Sequence, residues 1–251
     1  MRPAAKIRIA ALLIACLAIG AGRDPYSLER LAPTQDYFKR PCGLISYNGM
    51  TRTARWTLER IDRHTKGGDR AGIGFHKDPD VPNEFAAAPS DYAASGLDIG
   101  HQLPAGDAED VKSTETVANA CPQTPELNRG PWKTLEGRLR LRAKDAGVRE
   151  IWICTAPAWL PTRRHENGEY DYRFEAIGAN RVWVPTHCCK SALIVHVDGS
   201  IEIHSWRLPN VDEFGTKTTD DFAITTDQFE SDVGLDVWRG VAGEKELEAA
   251  K

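Results

Sequence analysis

Apolar residues recur at helical spacing across residues 125–146. With 100° per residue and Asn128 at zero, Trp132, Leu135 and Leu139 fall within about 40° of it and form one buried stripe. Thr124 is placed as the N-cap, and Pro125 as the first helical residue, where its missing N–H costs nothing. Gly147 is a natural stop. The pattern predicts a helix over 125–146, with Pro131 kinking it or displacing its start.

Elsewhere the alternation is that of strands. Residues 45–57 alternate around Tyr47, Met50 and Trp56 as a strand pair, residues 150–155 form a short apolar strand, and 192–197 with 201–206 form a hairpin about Asp198-Gly199-Ser200. Strands over 170–176 and 181–184 are expected to complete a mixed sheet, and Thr226 to cap a short helix ending at Gly234. Gly67, Gly68, Gly72, Gly74, Pro79, Pro82 and Pro89 leave residues 60–98 no room for a long regular element, and long structured loops are often functional. Residues 23–41, with Pro25, Pro33 and Pro41, read as an irregular arm, and 239–251 as a tail that frays at its end. No repeat or dividing linker interrupts residues 42–238, which read as one domain.

The first 22 residues follow another pattern. Arg2, Lys6 and Arg8 precede an apolar run over 9–21 and then Gly22-Arg23-Asp24-Pro25, the layout of a secretory signal peptide. The thirteen apolar residues are short of the roughly 20 needed to span a bilayer, so no stable membrane span is expected. The protein is expected to be exported, periplasmic or secreted, with lipid anchoring through Cys16 in Leu13-Ile14-Ala15-Cys16 the minor alternative. Export would permit disulfides, but Cys42, Cys121, Cys154, Cys188 and Cys189 are an odd set, and their spacings match no zinc pattern.

The full chain has 32 Lys and Arg against 36 Asp and Glu, and losing Arg2, Lys6 and Arg8 leaves 29 against 36, a net −7. Overall charge therefore does not advertise a polyanion partner, and any nucleic-acid affinity must come from a local basic patch and bound metal. Such a patch is available: Arg129, Lys133, Arg140 and Lys144 share one stripe of the expected helix, between about 100° and 160° from Asn128, either holding a phosphate backbone or forming a solvated face.

Asn128 begins the buried face of that helix, and a buried amide needs a partner, either a backbone group or a hard cation, for which a carboxamide oxygen is a suitable neutral ligand. Glu136, eight residues on, lies about 12 Å along the axis and roughly 80° around it. It can hardly share a coordination shell with Asn128. Two roles suit it: accepting hydrogen bonds from metal-bound water, or pairing with Arg140 at i+4. His101, 27 residues before Asn128, ends an extended segment, and Gln102-Leu103-Pro104-Ala105-Gly106 cannot continue it, so the imidazole reaches a loop-lined surface as a fitting general base toward water. A thiol hydrolase built on Cys188 or Cys189 beside His187 is disfavoured, because adjacent strand residues point to opposite faces.

Together these segments resemble the DNA/RNA non-specific endonuclease family with its ββα-metal site. The family's Asp-Arg-Gly-His signature appears as Asp98-Ile99-Gly100-His101, and its asparagine helix as Asn119-Ala120-Cys121-Pro122-Gln123 followed by Leu127-Asn128-Arg129-Gly130-Pro131-Trp132 and Leu135-Glu136. Further likeness runs through Tyr47-Asn48, Ile153-Cys154-Thr155-Ala156-Pro157, Val184-Pro185-Thr186-His187 and Leu208-Pro209-Asn210. The resemblance implies an α+β fold with a mixed, mainly antiparallel sheet flanked by helices. It further implies His101 as general base, Asn128 as the one direct protein ligand of Mg²⁺ (or Mn²⁺), Glu136 holding metal waters, and Arg70 contacting phosphate from the glycine-rich loop. The implied partner is DNA or RNA, gripped through its phosphate backbone and cut with little sequence preference. Ile99 departs from the signature, which removes a guanidinium there. The rival reading is a catalytically weakened nuclease fold kept as a secreted nucleic-acid-binding module; both His101 and Asn128 argue against it.

Overall fold

Apolar segments that read as short strands extend into a central antiparallel sheet. In the computed structural model, which describes residues 37–239 and 241, the strands are β1 (Phe38–Arg40), β2 (Gly43–Asn48), β3 (Thr53–Ile61), β4 (Asp98–His101), β5 (Ala120–Gln123), β6 (Val148–Ala158), β7 (His187–His196), β8 (Ile201–Pro209) and β9 (Ala223–Ile224). The main sheet runs β1-β2-β3-β6-β7-β8-β9, and every pairing in it is antiparallel. β4 and β5 stand apart as their own hairpin ladder, with Gly100 opposite Cys121 and His101 opposite Ala120. The segment expected to carry the export signal, Cys16 and all but Val241 of residues 240–251 lie outside the described residues.

Both faces of the sheet are covered, which is why its central strands read as continuous apolar runs. Helix α1 (Lys133–Arg142) lies on one face, and helix α2 (Thr226–Val233) with the segment after it on the other. Leu127, Trp132, Leu135 and Leu139 pack with Ile151, Ile153, Ala192, Ile194 and Trp206 on the first face, while Phe229, Leu235 and Trp238 pack with Trp56, Trp152, Leu193 and Val195 on the second. The period-two alternation within β6 and β7 sends Ile153 one way and Trp152 the other. Full burial of each such large apolar side chain contributes about 1.5–3 kcal/mol.

Several expectations need correction. The strand expected at 150–155 runs from Val148 to Ala158, and that expected at 192–197 begins at His187, because Lys190 interrupts the apolar pattern without interrupting the strand. Lys190 is buried at 1% exposure; its Nζ donates to Thr155 Oγ1 at 2.7 Å and sits 4.6 Å above the Trp132 ring centroid. Residues 170–176 and 181–184 do not join the main sheet. They contribute only Tyr170–Asp171, paired with Arg163–Arg164, and Val182–Trp183, paired with Ala176–Ile177. The irregular arm ends in β1, an edge strand.

The cap of α2 is Thr225 and not Thr226. Its hydroxyl accepts from Gln228 N, Gln228 returns a side-chain bond to Thr225 N, and Gly234 at φ 65° closes the other end. The helix expected over 125–146 is broken. One turn, Pro125–Leu127, is followed by a wide five-residue turn, Asn128–Trp132, with Gly130 at φ −100°, ψ −112°, and only then by α1, which stops at Arg142. Pro131 is the physical reason for the break, since it cannot donate the helical hydrogen bond. Among the described residues no helix is long and apolar enough to cross a membrane. The five described cysteines are free, with Cys121 Sγ and Cys188 Sγ 3.9 Å apart in the core.

Candidate active site

The β4–β5 hairpin leads directly into the broken helix, so strand, strand and helix form one compact unit. Gly100 is required within it. A Cβ there would collide with the Gln123 side chain, which crosses over Gly100 to donate to Cys188 Sγ at 3.2 Å. Beyond His101 the chain is turned by the buried Asn119, whose side chain bonds both Leu103 N and Leu103 O at 2.9 Å and also Thr114 O. At the helix start, Thr124 Oγ1 accepts from Leu127 N, while Asn210 bonds Thr124 N, Pro122 O and Pro185 O. Motif residues far apart in sequence are thus clamps on the same unit.

His101, Asn128, Glu136 and Arg70 all line one cleft of about 400 Å³, together with Phe75, Ile99, Arg129, Lys133 and Arg140. The expectation that helical rotation separates Asn128 from Glu136 does not apply here, because the wide turn lies between them. Asn128 Nδ2 donates to Asp98 Oδ2 at 2.9 Å, which fixes the amide's orientation, and among the described residues nothing donates to its Oδ1. Asp98 also receives both Arg129 Nε and Nη2. Partial burial would raise the Asp98 carboxyl, but the bonds from Arg129 and Asn128 outweigh it and hold it below the usual range.

The electrostatics beneath the cleft are set by burial. Burial pushes the Glu136 carboxyl up, opposed by the Lys190 ammonium, and pushes the buried Glu59 well up, with Asp107 adding to the effect. Glu136 makes no ion pair with Arg140 at i+4; Arg140 turns instead to Asp107, Nη1 to Oδ1 at 3.1 Å. Of the expected basic stripe, Arg129, Lys133 and Arg140 reach the cleft and Lys144 does not. Ile99 packs with Phe75, Ala87, Val117 and Val182, so the missing signature arginine leaves an apolar wall, and the guanidinium groups around the cleft are Arg70, Arg129 and Arg140.

Sequence reasoning missed Glu115. Its side chain is 2% exposed, with Oε1 2.9 Å from Arg70 Nη2 and 3.4 Å from His101 Nε2. Burial alone would raise its carboxyl, but His101 and Arg70 hold it below the usual range. Four acidic residues, Asp107, Glu109, Asp110 and Glu115, lie between the two strands of the hairpin, and nothing along the chain singles out Glu115 among them. The thiol alternative has no support: Cys188 and Cys189 are fully buried, His187 Nδ1 faces Thr186 Oγ1 at 3.0 Å, and burial, then Cys188, push the Cys189 thiol well up.

A histidine on a hairpin facing an asparagine on the following helix, in a cleft ringed with arginines, defines a ββα-metal nuclease site. The chain belongs to the DNA/RNA non-specific endonuclease family, whose model matches residues 31–244. It is 29% identical to endonuclease G, mitochondrial, of Bos taurus over 241 residues, 93% of this chain and 80% of that one. It is 35% identical to nuclease C1 of Cunninghamella echinulata var. echinulata over 185 residues, 70% of this chain and 72% of that one. A chain of the crystal structure of the EndoG/EndoGI complex superposes with a TM-score of 0.76 at 27% identity, covering 81% of this chain and 86% of that one.

Such a family implies a divalent cation, and the donor chemistry fits one. Among the described residues no three His, Cys, Asp or Glu side chains group to hold a metal. The unpartnered oxygen of the oriented Asn128 amide, with Glu136 in the same cleft, suits a hard ion that keeps most of its waters.

Proposed function

We propose that the protein is a Mg²⁺-dependent endonuclease that hydrolyses phosphodiester bonds of DNA, RNA or both with little sequence preference. The observation that carries this reading is the convergence of His101, the oriented Asn128 amide, Glu136 and Arg70 on one cleft. His101 takes a proton from water as the water oxygen attacks phosphorus, and the P–O3′ bond breaks to leave a 5′-phosphate and a 3′-oxyanion, which takes up a proton from solvent to become the 3′-hydroxyl. Asn128 Oδ1 would ligate the ion and Glu136 would accept hydrogen bonds from its waters. The ion, when bound, supplies charge stabilisation at the phosphate and the leaving oxygen. Arg70, Lys133 and Arg140 hold phosphate oxygens, contacts that carry no base information. The basic and then apolar residues 1–22 support export as the route to its place of action.

The test is cleavage of supercoiled plasmid, linear single strands and RNA by the purified protein with Mg²⁺, with and without chelator, beside His101→Ala and Asn128→Ala. Wild type is expected to cut and to stop with chelator, and both variants, still folded, to lose at least about 100-fold. Wild-type rates in both variants would sink the assignment.

A further inference from the structure

We propose that Glu115 is the positioning residue for the general base, accepting the proton-bearing Nε2 of His101 so that Nδ1 is left to take the proton from water. The inference rests on the nuclease reading of the same cleft. His101 Nε2 is buried and, among the described residues, no hydrogen-bonding group satisfies it; the carboxylate oxygen of Glu115, 3.4 Å away, is the polar atom it faces. A carboxylate can only accept, so the nitrogen nearest it carries the hydrogen and the other ring nitrogen presents its lone pair. The Phe75 ring, 4.6 Å from the imidazole centroid, restricts its rotation.

Glu115 is itself well held. Its carbonyl accepts from His76 N at 2.9 Å, its amide donates to Val111 O, and the preceding carbonyl, Thr114 O, accepts from Asn119 Nδ2. Its other charged neighbour is Arg70, whose Nη2 shares the same Oε1 at 2.9 Å. One buried carboxylate therefore orients both the base and an arginine at the rim of the cleft. The logic is that of the third member of a catalytic triad: it fixes tautomer and orientation without exchanging a proton itself. During the reaction the proton from water goes to Nδ1, the imidazolium forms with Nε2–H still directed at Glu115, and the Nδ1 proton then leaves to solvent.

The deciding experiment combines kinetics with nitrogen NMR on histidine-labelled protein, with the His101 signals assigned by their loss in His101→Ala. In wild type the single hydrogen of the neutral form of the His101 ring is expected on Nε2. In Glu115→Gln the side-chain amide can donate to the ring, and the hydrogen is expected to move to Nδ1, with kcat down about 100-fold or more. KM for DNA, which Arg70 can influence, should change far less than kcat, and the circular dichroism should be unchanged. Glu115→Asp, which keeps an acceptor, should recover part of the loss.

Wild-type kcat in Glu115→Gln, or a wild-type His101 carrying its hydrogen on Nδ1, would overturn the inference. The second measurement does not depend on Glu115→Gln and stands even if that variant fails to fold. If wild type itself cuts no nucleic acid, the nuclease reading fails separately, whatever the tautomer.

Discussion

Asp98 Oδ2 lies 2.9 Å from Asn128 Nδ2, so the first residue of the histidine-bearing strand orients the amide of the helix it faces. Arg129, next to Asn128, closes the same contact by bonding both Asp98 oxygens. An acid that looks like part of a histidine motif thus acts through asparagine. Replacing Asp98 by Ala should leave the fold intact and lower divalent-ion affinity about 10–100-fold, as loss of an orienting partner commonly does. Titration calorimetry with Mg²⁺ measures this directly; unchanged affinity would show that Asn128 needs no holder.

Gly100→Ala should be costly although the residue adopts no unusual backbone angle, because the added Cβ meets the Gln123 side chain. A loss of about 2 kcal/mol in denaturant unfolding is expected, together with weakened cleavage from displacement of the neighbouring His101. Adding Gln123→Ala should restore much of the stability, and strict additivity of the two changes would refute this contact as the cause.

Asn210→Ala removes partners from Thr124 N, Pro122 O and Pro185 O at once. The expected cost is about 2 kcal/mol, or a melting temperature lower by about 4–8 °C in a chain of this size. Calorimetric scanning checks it.

Glu202 offers a stability control remote from the cleft. Partial burial would raise its carboxyl, but His204, His196 and Arg142 hold it below the usual range. A depressed carboxyl contributes stability that is fully present above its unfolded value and is lost as pH falls through its folded value. Glu202→Gln should therefore melt slightly lower than wild type at neutral pH, by about 1–3 °C for a half-exposed network, and converge with it in strong acid. Cleavage should be unaffected throughout.

Much of this molecule was legible in the order of its residues. Thr124 and Pro125 do begin a helix, and Trp132, Leu135 and Leu139 are its buried stripe. Strand ends were harder, because β6 and β7 are covered on both faces and their polar members, such as Lys190 and Thr155, satisfy each other inside the core. Residues 170–176 and 181–184 read as strands of the main sheet because local alternation does not reveal which edge a segment joins. Of the cleft, residues within sequence motifs could be read directly. Glu115 could not, since its importance lies in contacts to Arg70 and His101 that no spacing along the chain encodes.

The wide turn over Asn128–Trp132 makes the active-site helix two mechanical parts, one bearing the amide and one anchored in the core by Trp132, Leu135 and Leu139. Each residue of helix corresponds to a rotation of about 100°. The aim of the amide relative to the imidazole is therefore stored as a count of residues. A chain one residue shorter at Gly130 would keep every side chain of the cleft and still point its amide away from its imidazole.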